Sequence, residues 1–286
     1  MLLRAFAKIN LDLRVLHRRA DGYHEVRTIL QTIDWHDEIR IDPASRFEFV
    51  AHGGPSDETN LVVRAVREFE RLTGAPAPVR IELTKNIPIG AGLGGGSADA
   101  AVTFLALGRI FGRELPDSDQ LRGLQVLGSD VPFFAVGGQG LGTGRGEIIE
   151  PLEDRPEAAN AHFVIVNPGI PISTAKAYSW LTVSDKSNSI GGFRARSVSG
   201  YPEQEQVNDF EGVVFARYPV LAEIKHELLK LGALRASLSG SGSALFGVFA
   251  THNKAAEAES RFAGRFLARA TKPLPRSEYW QKVFAD

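Results

Sequence analysis

Apolar and polar residues alternate with a period of two near the start of the chain. Ala7, Ile9, Leu11, Leu13 and Val15 share one face, while Lys8, Asn10 and Asp12 share the other, which predicts a strand. A second alternation sets Val79, Ile81 and Leu83 against Arg80, Glu82 and Thr84. After the glycine-dense stretch Lys85–Ser97 the period changes: Ala98, Ala101, Val102, Leu105 and Ile110 recur near helical spacing, and Gly112 supplies a stop. Leu121, Leu124 and Leu127 form another helical stripe that Gly128 can end, and an amphipathic helix opens at Asn60 between Asp57 and Gly74. Further on, the pattern predicts a strand over His162–Val166, helices over Pro219–Leu231 and Lys254–Leu267, and a strand pair around Gly240. This is an α+β pattern. The polar connector Pro151–Ala161 places a boundary between domains 1–154 and 155–286, and Ser184–Gln206, rich in Ser, Gly and charge, reads as a surface loop or mobile lid.

Composition narrows the function. The chain has 286 residues and a formal net charge of −1, enough length for two ordinary domains and no electrostatic footprint for nucleic acid or an anionic membrane. It has no cysteine, hence no disulfides and no thiolate metal sites. No apolar run reaches transmembrane length, and MLLRAFAKINLDLR lacks a secretory core. A soluble cytoplasmic protein is the expectation, with oligomeric state left open. The histidines form no H-E-x-x-H or H-x-x-x-H pattern, so zinc hydrolysis finds no support.

The chemistry concentrates in Lys85–Ser97, KNIPIGAGLGGGS. Glycines there let the backbone approach a ligand and aim N–H groups at it, and the following helix N-terminus favours negative charge. A phosphate site is the physical reading. A Walker A loop is excluded, because no Gly-Lys pair occurs in the chain. Gly90, Gly92 and Gly95 satisfy a dinucleotide fingerprint, but Asn86-Ile87-Pro88 separates them from the strand and no repeating βαβ pattern surrounds them. A nicotinamide oxidoreductase and a catalytically inactive nucleotide-binding module remain alternatives.

Three ordered motifs carry a resemblance. Ala5-Phe-Ala-Lys8-Ile-Asn10-Leu, Pro88–Ala101 and Ser237-Leu-Ser-Gly240-Ser-Gly242-Ser-Ala-Leu-Phe246 resemble the motifs of the GHMP kinases, over roughly residues 5 to 250. That resemblance implies a ribosomal-protein-S5-like first domain and a ferredoxin-like second domain with the active site in the cleft between them. It also implies ATP as co-substrate with Mg²⁺. The loop Pro88, Gly90, Ala91, Gly92, Leu93, Gly94, Gly95, Gly96 and Ser97 would cradle the triphosphate, with Ser97 the protein contact to the metal. Asn60 and Lys85 would lie near the adenine.

Within the superfamily, Ala20-Asp-Gly-Tyr23-His24 resembles one branch, the 4-diphosphocytidyl-2-C-methyl-D-erythritol kinases. The residues alone allow a simple Asp-Gly hairpin turn with a surface tyrosine. The branch implies that Tyr23 and His24 read a cytosine, that Tyr178 sandwiches it opposite Tyr23, and that Thr174 lines the substrate site. The small-molecule partner would be cytidine diphosphate-linked methylerythritol. Asp130, in Gly128-Ser-Asp-Val-Pro-Phe133, sits where a helix N-cap is expected; the branch implies that it is the catalytic base. Lys8 would stabilise developing charge, and Asn10 would position substrate. Homoserine or mevalonate kinases are the alternatives within the superfamily. Asn208-Asp-Phe-Glu211 also matches the branch, with no role that follows from the residues, and none follows for the tail from Lys272 to Asp286.

Overall fold

A computed structural model describes residues 1–154, 161–181 and 207–284; Ser184–Gln206 lies outside them. Among the described residues two sheets form. The first is organised on β2 (His24–Pro43), which pairs along one edge with β1 (Leu2–Arg18) and along the other with β4 (Val79–Thr84) and β5 (Gln139–Thr143). β3 (Glu48–His52) and β6 (Ile148–Pro151) complete it. The Asp-Gly hairpin joins β1 to β2 as its sequence requires: Gly22 takes φ 86° and Arg19 N–H donates to the Tyr23 carbonyl at 2.7 Å.

β1 departs from the simple two-faced strand. Register shifts fall between Phe6 and Lys8, Asn10 and Asp12, and Val15 and His17. Such bulges re-aim side chains. Leu3, Ala5 and Phe6 enter the core beneath the helices, whereas Ala7, Ile9 and Leu11 join Phe163, Phe246 and Val248 of the second sheet. The polar face is not solvated either: Lys8, Asn10 and Asp12 are 3%, 4% and 3% exposed. Helices α1 (Leu61–Thr73), α2 (Gly95–Phe111), α3 (Asp117–Leu127) and α4 (Val131–Phe134) pack on the first core. Gly74, Gly112 and Gly128 end the first three as expected. The α3 stripe differs, since Leu124 and Leu127 are buried but Leu121 faces solvent.

The second sheet runs β10-β7-β9-β8, antiparallel throughout, from β7 (His162–Asn167), β8 (Arg235–Leu238), β9 (Leu245–Phe249) and β10 (Leu267–Thr271). Counted within the domain, this is the 4-1-3-2 order of the ferredoxin-like arrangement. Helices α5 (Thr174–Trp180), α6 (Phe210–Arg217), α7 (Pro219–Lys230) and α8 (His252–Phe262) contribute to its core. The helix expected to reach Leu267 stops at Phe262, because Gly264 adopts φ 81° and the chain re-enters as β10.

The tail then crosses back. Leu274, Tyr279 and Val283, the last two from α9 (Arg276–Val283), are fully buried in the first core. Tyr279 Oη donates to the Phe134 carbonyl at 2.7 Å, and Lys282 pairs with Asp34 at 2.9 Å. The terminal helix therefore braces α4, the element that follows Asp130. Tyr279→Ala removes this brace and leaves a cavity, with an expected loss of about 3–5 kcal/mol in urea unfolding; a loss under about 1 kcal/mol would show that α9 is dispensable to the core.

Candidate active site

The loop Gly90–Ser97 follows β4 after the connector Lys85–Ile89. Ala91, Leu93 and Gly95 point inward, while Gly90 and Gly96 are exposed. Gly90, Gly92 and Gly94 take φ of 69°, 80° and 70°, and among the described residues no non-glycine residue has positive φ. The backbone thus alternates in hand, a conformation that turns successive N–H groups into an anion-binding concavity. Two positions require glycine for space as well. A Cβ on Gly92 would lie 2.1 Å from the Ser239 carbonyl oxygen, and one on Gly94 would lie 2.8 Å from Phe134 and 2.9 Å from Lys8 Cγ. The loop is consequently pressed between α4, β1 and the segment Ser239–Ser243. Lys8 N–H donates to Leu93 O at 2.9 Å, Ala244 N–H to Ala91 O at 3.0 Å, and Ser239 Oγ to Gly92 O at 2.9 Å. Ser97 follows in the first turn of α2.

Lys8 and Asp130 meet across this loop. Lys8 Nζ lies 3.3 Å from Asp130 Oδ2, with the lysine side chain 3% exposed and the carboxylate 39% exposed. Lys8 also donates to Asn10 Oδ1 at 2.6 Å; Asn10 Nδ2 donates to Thr28 Oγ1 at 2.8 Å, and Thr28 Oγ1 to the Asp12 carbonyl at 2.7 Å. Asp130 does occupy the N-cap position of α4, yet among the described residues its carboxylate makes no capping bond. It is left facing Lys8 at the rim, partly open to solvent.

Asn60 and Lys85 have their polar groups engaged. Asn60 caps α1, accepting from Val62 N–H at 2.9 Å and donating to Pro55 O at 2.8 Å. Leu61 beside it lies 3.6 Å from a Cβ built on Gly96, so the start of α1 borders the loop. The Lys85 ammonium is held between Asp37 and Asp99, the latter at 2.6 Å. Burial opposes its charge, but the two carboxylates raise its pKa above the ordinary value; burial pushes the Asp99 carboxyl up. Asp37 also accepts the N–H groups of Asn86 at 2.5 Å and Ile87 at 2.7 Å. This cluster anchors the entry of the phosphate loop.

Tyr23, His24, Thr174 and Tyr178, the residues expected to meet the substrate, line one cavity of about 850 Å³. Tyr178 stacks on His24, with centroids 5.0 Å apart and planes at 18°, which leaves no room for a base between them. Tyr23 instead lies under the Arg145 guanidinium at 4.8 Å. Within this cavity the rings thus pair as His24 with Tyr178 and Tyr23 with Arg145. Burial, then the Arg18 charge, holds the His24 imidazole below its ordinary pKa, and burial, then Asp130, pushes the Tyr178 hydroxyl up to about 12. At neutral pH the imidazole offers one donor and one acceptor, and the phenol keeps its proton.

Arg18, Ser129 and Arg145 also line the cavity, and sequence reasoning did not assign them. Arg145 sits in the β5–β6 hairpin, which docks on β2 through Gly144 N–H to Glu25 Oε1 at 3.0 Å and Val26 N–H to Gly144 O at 2.7 Å. Only its motif Gly142-Thr-Gly-Arg-Gly146, similar in appearance to a phosphate loop, could have drawn attention to it. Thr174 Oγ1 lies 3.2 Å from Ser241 Oγ, tying the cavity to the glycine segment.

This fold and site define a class of protein, and the comparisons agree. Residues 60–138 match the GHMP kinases N terminal domain and residues 201–268 the GHMP kinases C terminal domain. A 4-diphosphocytidyl-2-C-methyl-D-erythritol kinase from Solibacter usitatus is 46% identical over 88% of this chain and 82% of its own. One from Geobacter sulfurreducens is 38% identical over 96% and 99%. A crystal structure of 4-(cytidine 5'-diphospho)-2C-methyl-D-erythritol kinase superposes with a TM-score of 0.82 at 32% identity, covering 96% of this chain and 99% of that one. A homoserine kinase from Cytophaga hutchinsonii shares the fold, with a TM-score of 0.67 at 19% identity over 93% and 94% of the two chains. The chain belongs to the GHMP kinases, in their 4-diphosphocytidyl-2-C-methyl-D-erythritol kinase branch. It is an ATP-dependent kinase, and the nicotinamide reading of the glycine loop falls away. Among the described residues no helix is long and apolar enough to cross a membrane.

Replacing Gly92 with alanine forces the loop away from Ser239 and adds left-handed strain of about 1–3 kcal/mol. The expected outcome is a fall of about tenfold or more in kcat/KM for ATP, read from initial rates. Unchanged kinetics would mean that the contact with Ser239 does not shape the nucleotide site.

Proposed function

We propose that the protein transfers the γ-phosphoryl group of ATP to the 2-hydroxyl of 4-diphosphocytidyl-2-C-methyl-D-erythritol, a step of the methylerythritol phosphate route to isoprenoid precursors. The observation that carries this reading is the adjacency of the aromatic, histidine-bearing cavity to the Lys8–Asp130 pair beside the glycine loop. The names of the relatives support the same substrate.

The N–H groups of Gly90–Ser97 and the α2 N-terminus gather the triphosphate. Asp130 accepts the hydroxyl proton as the oxygen attacks phosphorus. Lys8, held in place by Asn10, offsets the negative charge that develops there. Tyr23, His24 and Tyr178 supply faces and edges for a pyrimidine, and Arg18 and Arg145 bring positive charge to the same cavity.

Magnesium would accompany the ATP, as kinase chemistry requires. Among the described residues no three His, Cys, Asp or Glu side chains gather as a metal cluster, and Mg²⁺ in kinases takes most of its octahedron from phosphate and water. Ser97, in the first turn of α2, would be the protein hydroxyl to join them. When bound, the ion neutralises phosphate charge.

A coupled ADP-release assay with Mg-ATP, run in parallel with the cytidine compound, homoserine and mevalonate, tests the substrate. Turnover confined to the cytidine compound is expected; turnover only with homoserine or mevalonate would discard Tyr23 and His24 as cytosine readers. Asp130→Asn should lower kcat by about 10²–10⁴-fold while calorimetry shows ATP binding retained. Near-normal turnover would remove Asp130 as the base. Because the His24 pKa is depressed, its neutral form persists below the ordinary histidine value of about 6.5. Affinity for the cytidine compound should therefore stay level across neutral pH and fall only at lower pH, where a second ring proton removes the acceptor. A decline centred near pH 7 would rule out neutral His24 as the reader.

A further inference from the structure

The matched segment Asn208-Asp-Phe-Glu211 acquires a place in the structure. Residues 207 to 209 lie along the edge of β1 that β2 leaves open. Leu13 N–H donates to Val207 O at 2.8 Å and Asp209 N–H to Leu13 O at 3.0 Å. Side chains reinforce the pairing: Val207 N–H donates to Asp12 Oδ1 at 2.8 Å and Val15 N–H to Asp209 Oδ2 at 2.7 Å. The segment is thereby fixed to the strand that carries Lys8 and Asn10.

Asn208 then reaches the third glycine segment. It is 5% exposed. Its Nδ2 donates to the carbonyls of both Leu238 and Gly240, each at 2.8 Å, while its Oδ1 accepts from Phe210 N–H at 3.0 Å. Between those two carbonyls stands Ser239, whose own carbonyl meets Gly92 and whose hydroxyl donates to Gly92 O. Glu211 holds the end of β8 that precedes Ser239, accepting from Ser237 Oγ at 2.9 Å and Leu238 N–H at 3.0 Å. A carboxamide is the one side-chain group of this size that offers two N–H donors and an acceptor together.

We propose that Asn208 is a positioning residue for phosphoryl transfer, setting the third glycine segment, Ser239–Ser243, against the phosphate loop and in register with the Lys8 strand. It acts through Ser239 and Gly92, and this role rests on the kinase reading of the site. Near-attack geometry is sensitive to displacements of about 1 Å, so a group that fixes two carbonyls flanking the loop contact governs nucleotide placement.

Asn208→Asp is the test. It keeps the acceptor for Phe210 N–H, removes both donors and sets a carboxylate against two carbonyls. The expected result is a rise of about tenfold or more in the ATP dissociation constant measured by calorimetry with Mg-ATP, together with a lower kcat. The dissociation constant of the cytidine compound, measured without nucleotide, should stay within about twofold. A purely structural role would lower the melting temperature and leave ATP affinity per folded molecule unchanged, and that result overturns the proposal. If Asn208→Asp does not fold, Asn208→Ser decides by the same two constants, an unchanged ATP constant again overturning the proposal. Wild-type turnover of the cytidine compound tests the substrate reading separately, and the ATP constant of the variant remains decisive whichever alcohol is phosphorylated.

Discussion

The structure depends on one contact between two stretches of backbone. The Cα of Gly92 sits so close to the Ser239 carbonyl that no side chain fits between them, and hydrogen bonds from Ser239 and Ala244 seal the approach. Gly92 follows β4 of the first sheet, and Ser239 follows β8 of the second. The candidate site therefore lies where the two sheets are joined, and the shared core of Ala7, Ile9, Phe163 and Phe246 lies behind the join. Buried backbone placed this tightly has to find partners for its polar groups, which explains why the surrounding segments spend so many hydrogen bonds on it.

Charge is arranged around the same join in two layers. Lys85, nearly enclosed, is matched by Asp37 and Asp99 and serves the entry of the loop. Lys8, equally enclosed, meets a carboxylate that stands partly in solvent. A fully enclosed set of opposite charges holds a geometry, since breaking it would strand a buried charge. Asp130, the proposed base, is not enclosed in this way and keeps access to solvent. The tail adds a mechanical element: Tyr279 bonds to Phe134, and Phe134 in turn packs on Gly94. The first core thus includes residues of α9, although the chain has by then completed the second sheet.

Much of this was legible in the order of residues, and the parts that were not share a cause. Strand β4, the loop and helix α2 follow from local alternation, glycine content and helical spacing, which depend on near neighbours in the chain. The Lys8–Asn10 spacing on one strand face was legible for the same reason, as were the Asp-Gly hairpin and the N-cap position of Asp130. The helix drawn through to Leu267 failed at Gly264, where one left-handed residue separates two patterns that each look apolar enough to continue. The role of α9 was hidden because a short polar helix reveals its buried face only through the surface it meets. The ring partners of Tyr23 and Tyr178 were hidden too, since stacking is settled by separate elements brought together. Most of the elements and the class of chemistry could be read along the chain, because they rest on local sterics and functional groups. That Lys8 faces Asp130, that Arg145 covers Tyr23 and that Asn208 grips the glycine segment came from packing alone, because each is a meeting of chain-distant groups.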